Sequence, residues 1–369
     1  MEIKQIGILR ELLSHPGETL KEVLESNNMT QKELAFRVDI TEKHLTNIIN
    51  GKAPITPEMA LKLSKVFSLS SSFWNNLQAN YDSELHKIEE YSKISEKEKQ
   101  IVKESGYSQL SKFGYVENTR NMEEKVINMR NFWGISSLEK VSDLFTSSNS
   151  PIAAFRRSKT CAINPYAMAS WLKICEIETD NIDVYSYDLD KLKEKLPLIK
   201  QLMFKQNPNI IVKELQRVFS ECGIAFSVVR NLIGAPVQGL IKKIDNKIRL
   251  CVTLRGAHAD IFWFTLFHEI GHLFTLPRDN WMVDYRDPDK TCGDEKYEKV
   301  ADAFANNQLI PVNDYRRFVV SGNFSRQSIL RFAREQNILP CIIVGRLKHD
   351  KYIPYTDYND LVINYQWAN

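Results

Sequence analysis

Residues 260–274 read Asp-Ile-Phe-Trp-Phe-Thr-Leu-Phe-His-Glu-Ile-Gly-His-Leu-Phe, and this stretch contains the pattern His268-Glu269-x-x-His272. On an α-helix, residues four apart lie about 40° apart around the axis and one turn along it, so both imidazoles leave the same face. Two such imidazoles can bind one zinc ion, and the glutamate between them can act as general base toward the zinc-bound water. The pattern therefore predicts a helix that carries His268 and His272 as zinc ligands and Glu269 as the catalytic base.

The residues around this pattern are apolar, so we expect the helix to be buried. They are Ile261, Phe262, Phe264, Leu266, Phe267, Ile270, Leu273 and Phe274. Burying two histidines and a glutamate on one helix costs free energy unless these side chains have polar partners, and a bound metal would be such a partner. The alternative is a chance pattern of core histidines, which is uncommon in a chain with seven histidines.

A catalytic zinc takes three protein ligands and leaves one position for water, so a third ligand is needed. No further histidine follows His272 at a suitable spacing, and the best candidate is Glu298 in the segment 298–305. Helical spacing places Glu298 and Asp302 on one face, where Asp302 can accept the N–H of one zinc-bound histidine and fix its tautomer. Glu295 is the rival ligand, and a solvated Glu298 in a charged helix is the other alternative.

From about Glu221 to Trp367 the chain resembles the ImmA/IrrE-type zinc metallopeptidases. The similar segments are 223–229, 260–272, 298–305 with 309–311, and 343–347. The resemblance implies a zincin-like domain with a short sheet, His268, His272 and Glu298 on zinc, and Glu269 as base. His258, Tyr285 and Tyr297 are candidates for the donor that stabilises the oxyanion, and the sequence does not rank them.

Residues 30–52 predict two short helices joined by a tight turn. Thr30 is a natural N-cap, Glu33 completes a capping box, Thr41 caps the second helix, and Gly51 ends it. Apolar residues form a stripe on each helix, which leaves polar side chains outward where a recognition helix reaches base edges. The predicted DNA-binding residues are Gln31, Thr41, Glu42, Lys43, Thr46 and Asn47. The alternative is a plain helical hairpin without a nucleic-acid partner.

This part resembles the Cro/C1-type helix-turn-helix and, more narrowly, the HigA-type antitoxin domain. The narrower resemblance rests on the segments 15–18, 50–60 and 73–81. It implies an N-terminal five-helix bundle and a homodimeric repressor that binds an inverted repeat in operator DNA and restrains a cognate toxin.

Charge and composition set limits on these expectations. The 369-residue chain has a net charge of +3, but residues 1–90 carry ten Lys and Arg against thirteen Asp and Glu. Because strong DNA binders usually show a basic surface, we expect affinity to depend on dimerisation and a specific site. No apolar run is long enough for a membrane span, and the six scattered cysteines are typical of reduced thiols, so we expect a cytoplasmic protein without a membrane partner.

We predict a mainly α protein with a smaller α+β part. The expected domains are a DNA-binding domain at 1–90, a helical middle domain at 91–205 and a zinc metallopeptidase domain at 206–369. Helices are expected at Met122–Phe132, Ile163–Cys175, Leu189–Lys205 and Ile211–Cys222, followed by strands at Ala225–Val229, Leu240–Lys243 and Ile248–Thr253.

The predicted function is a DNA-binding, antitoxin-like regulator with a zinc-dependent endopeptidase that hydrolyses a specific regulatory protein. The alternative is a repressor-antitoxin whose peptidase-like part only binds a toxin or ligand, with zinc in a structural role.

Overall fold

The computed structural model describes residues 12–144, 164–205, 207–244, 246–254, 258–275, 282–284, 286–287, 290–291 and 295–365. The chain forms two compact units, Met1–Lys99 with Thr119–Ile127, and Gln100–Asn118 with Asn128–Asn369. These units differ from the three predicted domains, because most of the segment 91–205 belongs to the same unit as the segment 206–369. One helix of this segment, Pro165–Asp180, packs onto the first strand of the sheet that precedes the His-Glu motif.

The described part of the first unit, from residue 12 onward, begins with five helices. They are α1 (Pro16–Ser26), α2 (Gln31–Arg37), α3 (Glu42–Ile49), α4 (Pro57–Val66) and α5 (Ser71–Ser92). The N-terminal helical bundle is thus confirmed. Hydroxyl side chains cap four of these helices by accepting a backbone N–H of the first turn, and the capping residues are Thr30, Thr41, Thr56 and Ser70.

The predicted turn between α2 and α3 is present, with one difference. Asp39 adopts φ of 50° in the turn and Gly51 adopts φ of 70° after α3, so both helices end through left-handed residues. The Thr30 hydroxyl accepts from Glu33 N at 3.1 Å as expected. The Glu33 carboxylate, however, pairs with Arg37 at 2.6 Å, so the reciprocal half of the capping box is replaced by an ion pair one turn along the helix.

The core of this unit is built from the apolar stripes of the five helices. Fully buried side chains include Leu20, Leu34, Leu45, Ile48, Leu63 and Trp74. Gly17 lets α1 approach the end of α3, because a Cβ at Gly17 would lie 2.5 Å from the carbonyl oxygen of Ile49. The position of α3 in the bundle therefore depends on a glycine in α1 as well as on apolar packing.

Further helices lead to the sheet of the second unit. They are α6 (Glu96–Glu104), α7 (Tyr107–Lys112), α8 (Met122–Trp133), α9 (Val141–Leu144), α10 (Pro165–Asp180), α11 (Leu189–Gln201) and α12 (Pro208–Glu221). The helices predicted from residue 122 to residue 222 are confirmed, with ends shifted by a few residues.

A four-stranded sheet follows α12. Its strands are β1 (Ile224–Arg230), β2 (Gly239–Ile244), β3 (Lys247–Leu254) and β4 (Met282–Asp284), in the order β1-β3-β2-β4. β1 is parallel to β3, whereas β2 is antiparallel to both β3 and β4. The three predicted strands are confirmed, and β4 adds a fourth. The short strands β5 (Arg286–Asp287) and β6 (Lys290–Thr291) form a separate ribbon.

Five helices follow in the described residues of the second unit. α13 (Ala259–Thr275) carries the His-Glu motif, α14 (Glu295–Leu309) carries Glu298, and α15 (Val312–Val320), α16 (Arg326–Glu335) and α17 (Pro340–His349) follow. Most of α13 is buried as predicted, but Ile261 in its first turn is 40% exposed. Within the described part of the chain, no helix is long and apolar enough to cross a membrane.

Candidate functional site

Three side chains from two helices meet inside the second unit. His268 and His272 on α13 and Glu298 on α14 each place one possible ligand atom within 4.8 Å of the other two. The Nε2 atoms of the two histidines are 2.9 Å apart, and Glu298 Oε2 lies 3.2 Å from His268 Nε2. Glu298 Oε1 lies 3.6 Å from His272 Nε2, so the carboxylate faces both rings.

Asp302 lies behind this cluster, one turn after Glu298. His268 Nδ1 is 2.8 Å from Asp302 Oδ1, and in the tautomer that donates this hydrogen bond the lone pair is at Nε2, facing His272 and Glu298. This is the arrangement by which a carboxylate orients a metal-binding histidine. The structure thus brings together His268, His272, Glu298 and Asp302 in the predicted order, while their roles toward a metal stay a prediction.

The donor set fits zinc. Two imidazole nitrogens and one carboxylate are the ligands that zinc takes in one class of peptidase sites. The side chains of His268 and His272 are fully buried, and Glu298 is 12% exposed. Burying three polar groups at one point is costly unless they share a partner, and a divalent cation coordinated by all three would be such a partner.

Glu269 is fully buried next to His268, at the position of the predicted base. Its carboxylate faces the first residue of β2, since a Cβ on Gly239 would lie 2.7 Å from Glu269 Cγ and closer still to Cδ and Oε1. The sequence did not point to Gly239, because a single glycine at the start of a strand is a common feature. A contact between a strand and a helix 30 residues later becomes visible only in the folded chain.

The two helices of the cluster can approach closely because of a second glycine. A Cβ on Gly271 would lie 3.1 Å from Ala301 Cα and 3.2 Å from the Ala301 carbonyl oxygen, so α13 and α14 pack almost backbone to backbone. This approach carries Glu298 and Asp302 to the histidines. The small residues Gly271, Ala301 and Ala305 were a signal in the sequence, because small residues at helical spacing allow close packing of two helices.

Lys200 on α11 holds the far end of α14. Its ammonium group donates to the carbonyl oxygens of Gln308 and Leu309, each at 3.0 Å, and so satisfies two acceptors at the helix C-terminus. Burial lowers the pKa of Lys200 below its usual value. The sequence contained no pattern that linked this lysine to α14, because the contact spans more than 100 residues.

The candidates for oxyanion stabilisation are not equivalent. His258 immediately precedes α13, ten residues before His268, so it lies about 15 Å away along the helix axis. It forms an isolated bridge with Asn364 and is therefore not brought to the cluster. Tyr297 is half-buried on α14 beside Glu298. Tyr285 and the side chain of the rival ligand Glu295 lie outside the described residues.

The predicted nucleic-acid residues surround the start of α3. Gln31, Thr41, Glu42, Lys43 and Thr46 are exposed, and Asn47 is half-buried. The Thr46 hydroxyl lies 3.3 Å from Gln31 Oε1, which places the first residue of α2 on the same surface as α3. The arrangement leaves amide, hydroxyl and ammonium groups available at the beginning of a helix, the part that enters the major groove in helix-turn-helix proteins.

Comparison with known proteins identifies this N-terminal part. The profile of the helix-turn-helix family matches residues 20–74. Virulence-associated protein A of Dichelobacter nodosus is 42% identical over 69 residues, which cover 18% of this chain and 68% of that protein. The chain belongs to this helix-turn-helix family. The HTH-type transcriptional regulator YddM of Escherichia coli is 40% identical over 63 residues, which cover 17% of this chain and 67% of that protein.

One more relative and one solved structure are also similar to this chain. Virulence-associated protein A' of Dichelobacter nodosus is 45% identical over 69 residues, and the chain spans 60% of the length of that relative. An addiction module antidote protein of a HigA family from Coxiella burnetii has a structure with 31% sequence identity and a TM-score of 0.19, covering 30% of this chain and 98% of that one.

Proposed function

We propose that this helix-turn-helix protein is a DNA-binding, antitoxin-like regulator whose second unit is a zinc-dependent endopeptidase acting on a specific regulatory protein. The observation that carries the peptidase is the meeting of His268, His272 and Glu298 at one buried point, with Asp302 on the outer nitrogen of His268. Glu269 lies beside them on the same helix. Such a set of ligands, orienting group and base is the composition of a hydrolytic metal site.

In this proposal His268, His272 and Glu298 would hold the zinc ion. Zinc bound there would supply Lewis-acid polarisation of the scissile carbonyl and would lower the pKa of water. Asp302 accepts the N–H of His268 and keeps its Nε2 lone pair directed at the cluster. Glu269 takes a proton from the attacking water and delivers it to the leaving amine, and its burial keeps bulk water from competing for that proton.

The peptidase is tested by exchanging Glu269 for glutamine, which has the same size but cannot accept the proton. We expect Glu269→Gln to keep zinc and the fold, and to lose cleavage of the protein substrate. Wild type and variant are compared in cells by following the fragments of the chain and of proteins encoded beside it by mass spectrometry. Identical fragments in both strains would show that the second unit is a binding module with structural zinc.

The DNA-binding half is supported by the family match at residues 20–74 and by the polar surface at the start of α3. One of the named relatives, YddM, is an HTH-type transcriptional regulator. We propose that a homodimer binds an inverted repeat in its operator, with Lys43 and Asn47 reading bases. A cognate toxin is the second expected partner.

Base reading is tested with Asn47→Ala. The variant should lose about 1–3 kcal/mol of binding free energy at the operator and much less on scrambled DNA, because a base contact contributes only at its own site. Asn76→Ala on α5 is the control, since Asn76 is an asparagine of the first unit that is exposed and lies outside α3. An equal loss of binding free energy on operator and scrambled DNA would show that Asn47 stabilises α3 and does not read bases.

A further inference from the structure

The carboxylate of Glu269 lies against the backbone of β2 at its first residue, Gly239. A Cβ atom built on Gly239 would have three nearest neighbours, and all three belong to Glu269: Oε1, Cδ and Cγ. The distance to Cγ would be 2.7 Å, and real Cβ atoms essentially never come closer than 3.0 Å to another heavy atom. Position 239 therefore admits a hydrogen atom and excludes a methyl group as long as Glu269 keeps its place.

The strand cannot easily move away from Glu269. Gly239 pairs with Val252 of β3 on one side and with Asp284 of β4 on the other. Just before it, the carbonyl oxygen of Gln238 accepts from Thr253 N at 2.7 Å. Moving β2 would break hydrogen bonds on both sides of the strand, and a buried backbone group without its partner is costly.

The helix cannot easily move away from the strand either. Gly271 packs α13 against the backbone of Ala301 on α14, and Gly345 on α17 lies against the carboxylate of Asp260 at the start of α13. A Cβ on Gly345 would come within 3.2 Å of Asp260 Cγ and closer to Oδ2. Because α13 is held at these points, the steric overlap between a methyl group at position 239 and the Glu269 carboxylate would be removed by rotation of the Glu269 side chain.

We infer that Gly239 is a positioning residue for Glu269. The absence of a side chain at position 239 forms the slot that holds the carboxylate of Glu269, the residue that follows His268, in the position from which it would act as base. The inference rests on the proposed function for the role of Glu269, while the slot itself is a property of the packing. A substitution at Gly239 should therefore affect the position of the base and not the binding of zinc, because the three atoms nearest to a Cβ on Gly239 belong to Glu269 and not to a predicted ligand.

The experiment compares Gly239→Ala with Gly345→Ala as the matched control. Both variants add one methyl group against a carboxylate of α13, so both should lower the melting temperature of the full-length protein. We expect both to keep the zinc content of the wild type. Cleavage per folded, zinc-loaded molecule should fall about 100-fold or more in Gly239→Ala, as on loss of a general base, and should stay near the wild-type level in Gly345→Ala.

A second measurement does not depend on activity. Gly239→Ala is combined with Glu269→Ala, which removes the carboxylate from the slot. The loss in melting temperature caused by Gly239→Ala should be several degrees in the wild-type background and much smaller in the Glu269→Ala background. If Gly239→Ala alone does not fold, recovery of folded protein in the double variant gives the same answer.

The outcomes distinguish this inference from the proposed function. Equal destabilisation in both backgrounds, or full cleavage by Gly239→Ala, would overturn the positioning role of Gly239. A wild-type protein that cleaves nothing, together with the expected coupling of melting temperatures, would confirm the slot and reject the peptidase.

Discussion

The Nδ1 atom of His268 lies 2.8 Å from Oδ1 of Asp302, and this contact connects the middle of α13 to the second turn of α14. Asp302 is four residues after Glu298, so one face of α14 provides both a possible ligand and a carboxylate that would orient another ligand. The spacing in each helix thus allows two helices to assemble the whole candidate zinc site.

Removal of the Asp302 carboxylate should weaken zinc binding without abolishing it. In Asp302→Ala the ring of His268 loses its hydrogen-bond partner, and we expect zinc affinity to fall about 10–100-fold. Competition with a chromogenic chelator measures the affinity. Asp314→Ala, which removes the half-buried partner of the exposed Arg317, is the control and should bind zinc as the wild type does. An unchanged affinity in Asp302→Ala would show that this hydrogen bond does not orient a ligand.

The third ligand is decided by a pair of variants on the same helix. Glu298→Ala should reduce the zinc content of the purified protein from about one ion per chain to a small fraction, because it leaves two protein ligands. Glu295→Ala should keep the metal. Metal analysis after dialysis measures both, and loss of zinc in Glu295→Ala alone would exchange the two assignments.

Lys200 should contribute to stability through the end of α14. Lys200→Met keeps the apolar stem and removes the ammonium group that binds the carbonyl oxygens of Gln308 and Leu309. We expect the free energy of unfolding to fall by about 1.5–3 kcal/mol, the range for a hydrogen bond to a charged group. Denaturant unfolding measures the change, with the exposed Lys205→Met as control. If the free energy of unfolding falls equally in both variants, the hydrogen bonds of the Lys200 ammonium group do not stabilise the fold.

The first unit should lose stability in mild acid through His15. Nδ1 of His15 accepts from Gly17 N at 2.9 Å and so caps α1 in its neutral form. Burial lowers the pKa of His15 below its usual 6.5, with smaller opposing contributions from Glu18 and Asp82. Because the folded state binds the proton less well than the unfolded state, stability is constant above about pH 6.5 and falls as the pH drops toward the folded-state pKa.

Hydrogen exchange of the α1 amides in the full-length protein, corrected for intrinsic rates, measures this effect of His15. His15→Asn is the control, because asparagine also caps helices but does not titrate. We expect protection in the wild type to decrease below pH 6.5 and protection in His15→Asn to stay constant. The same decrease in both proteins would assign the pH dependence to other groups.

The sequence predicted those parts of the candidate site that depend on spacing along one helix. His268, Glu269 and His272 follow from a four-residue repeat, and Glu298 with Asp302 follows from the same spacing on the next helix. The capping threonines Thr30 and Thr41 were equally visible, because a cap is a local interaction between residues two or three positions apart.

Other features depend on contacts between distant segments, and the sequence did not contain them. The roles of Gly239, Gly345 and Lys200 arise only when β2, α17 and α11 reach α13 and α14. The sequence also did not determine whether the Glu33 carboxylate binds the backbone N–H of Thr30 or the side chain of Arg37, since both groups are within its reach. Small energy differences between competing partners decide such cases, and propensity does not resolve them.

The close packing of α13 on α14 has a consequence for folding. Zinc held by His272 and Glu298 would close a loop of 25 residues, 273–297, in the manner of a cross-link. In the chain-entropy treatment a covalent link around a loop of that length is worth about 3–4 kcal/mol. Bound zinc would then stabilise the folded state. The amount of folded protein in the cell would therefore increase and decrease with the supply of zinc, as its catalysis would.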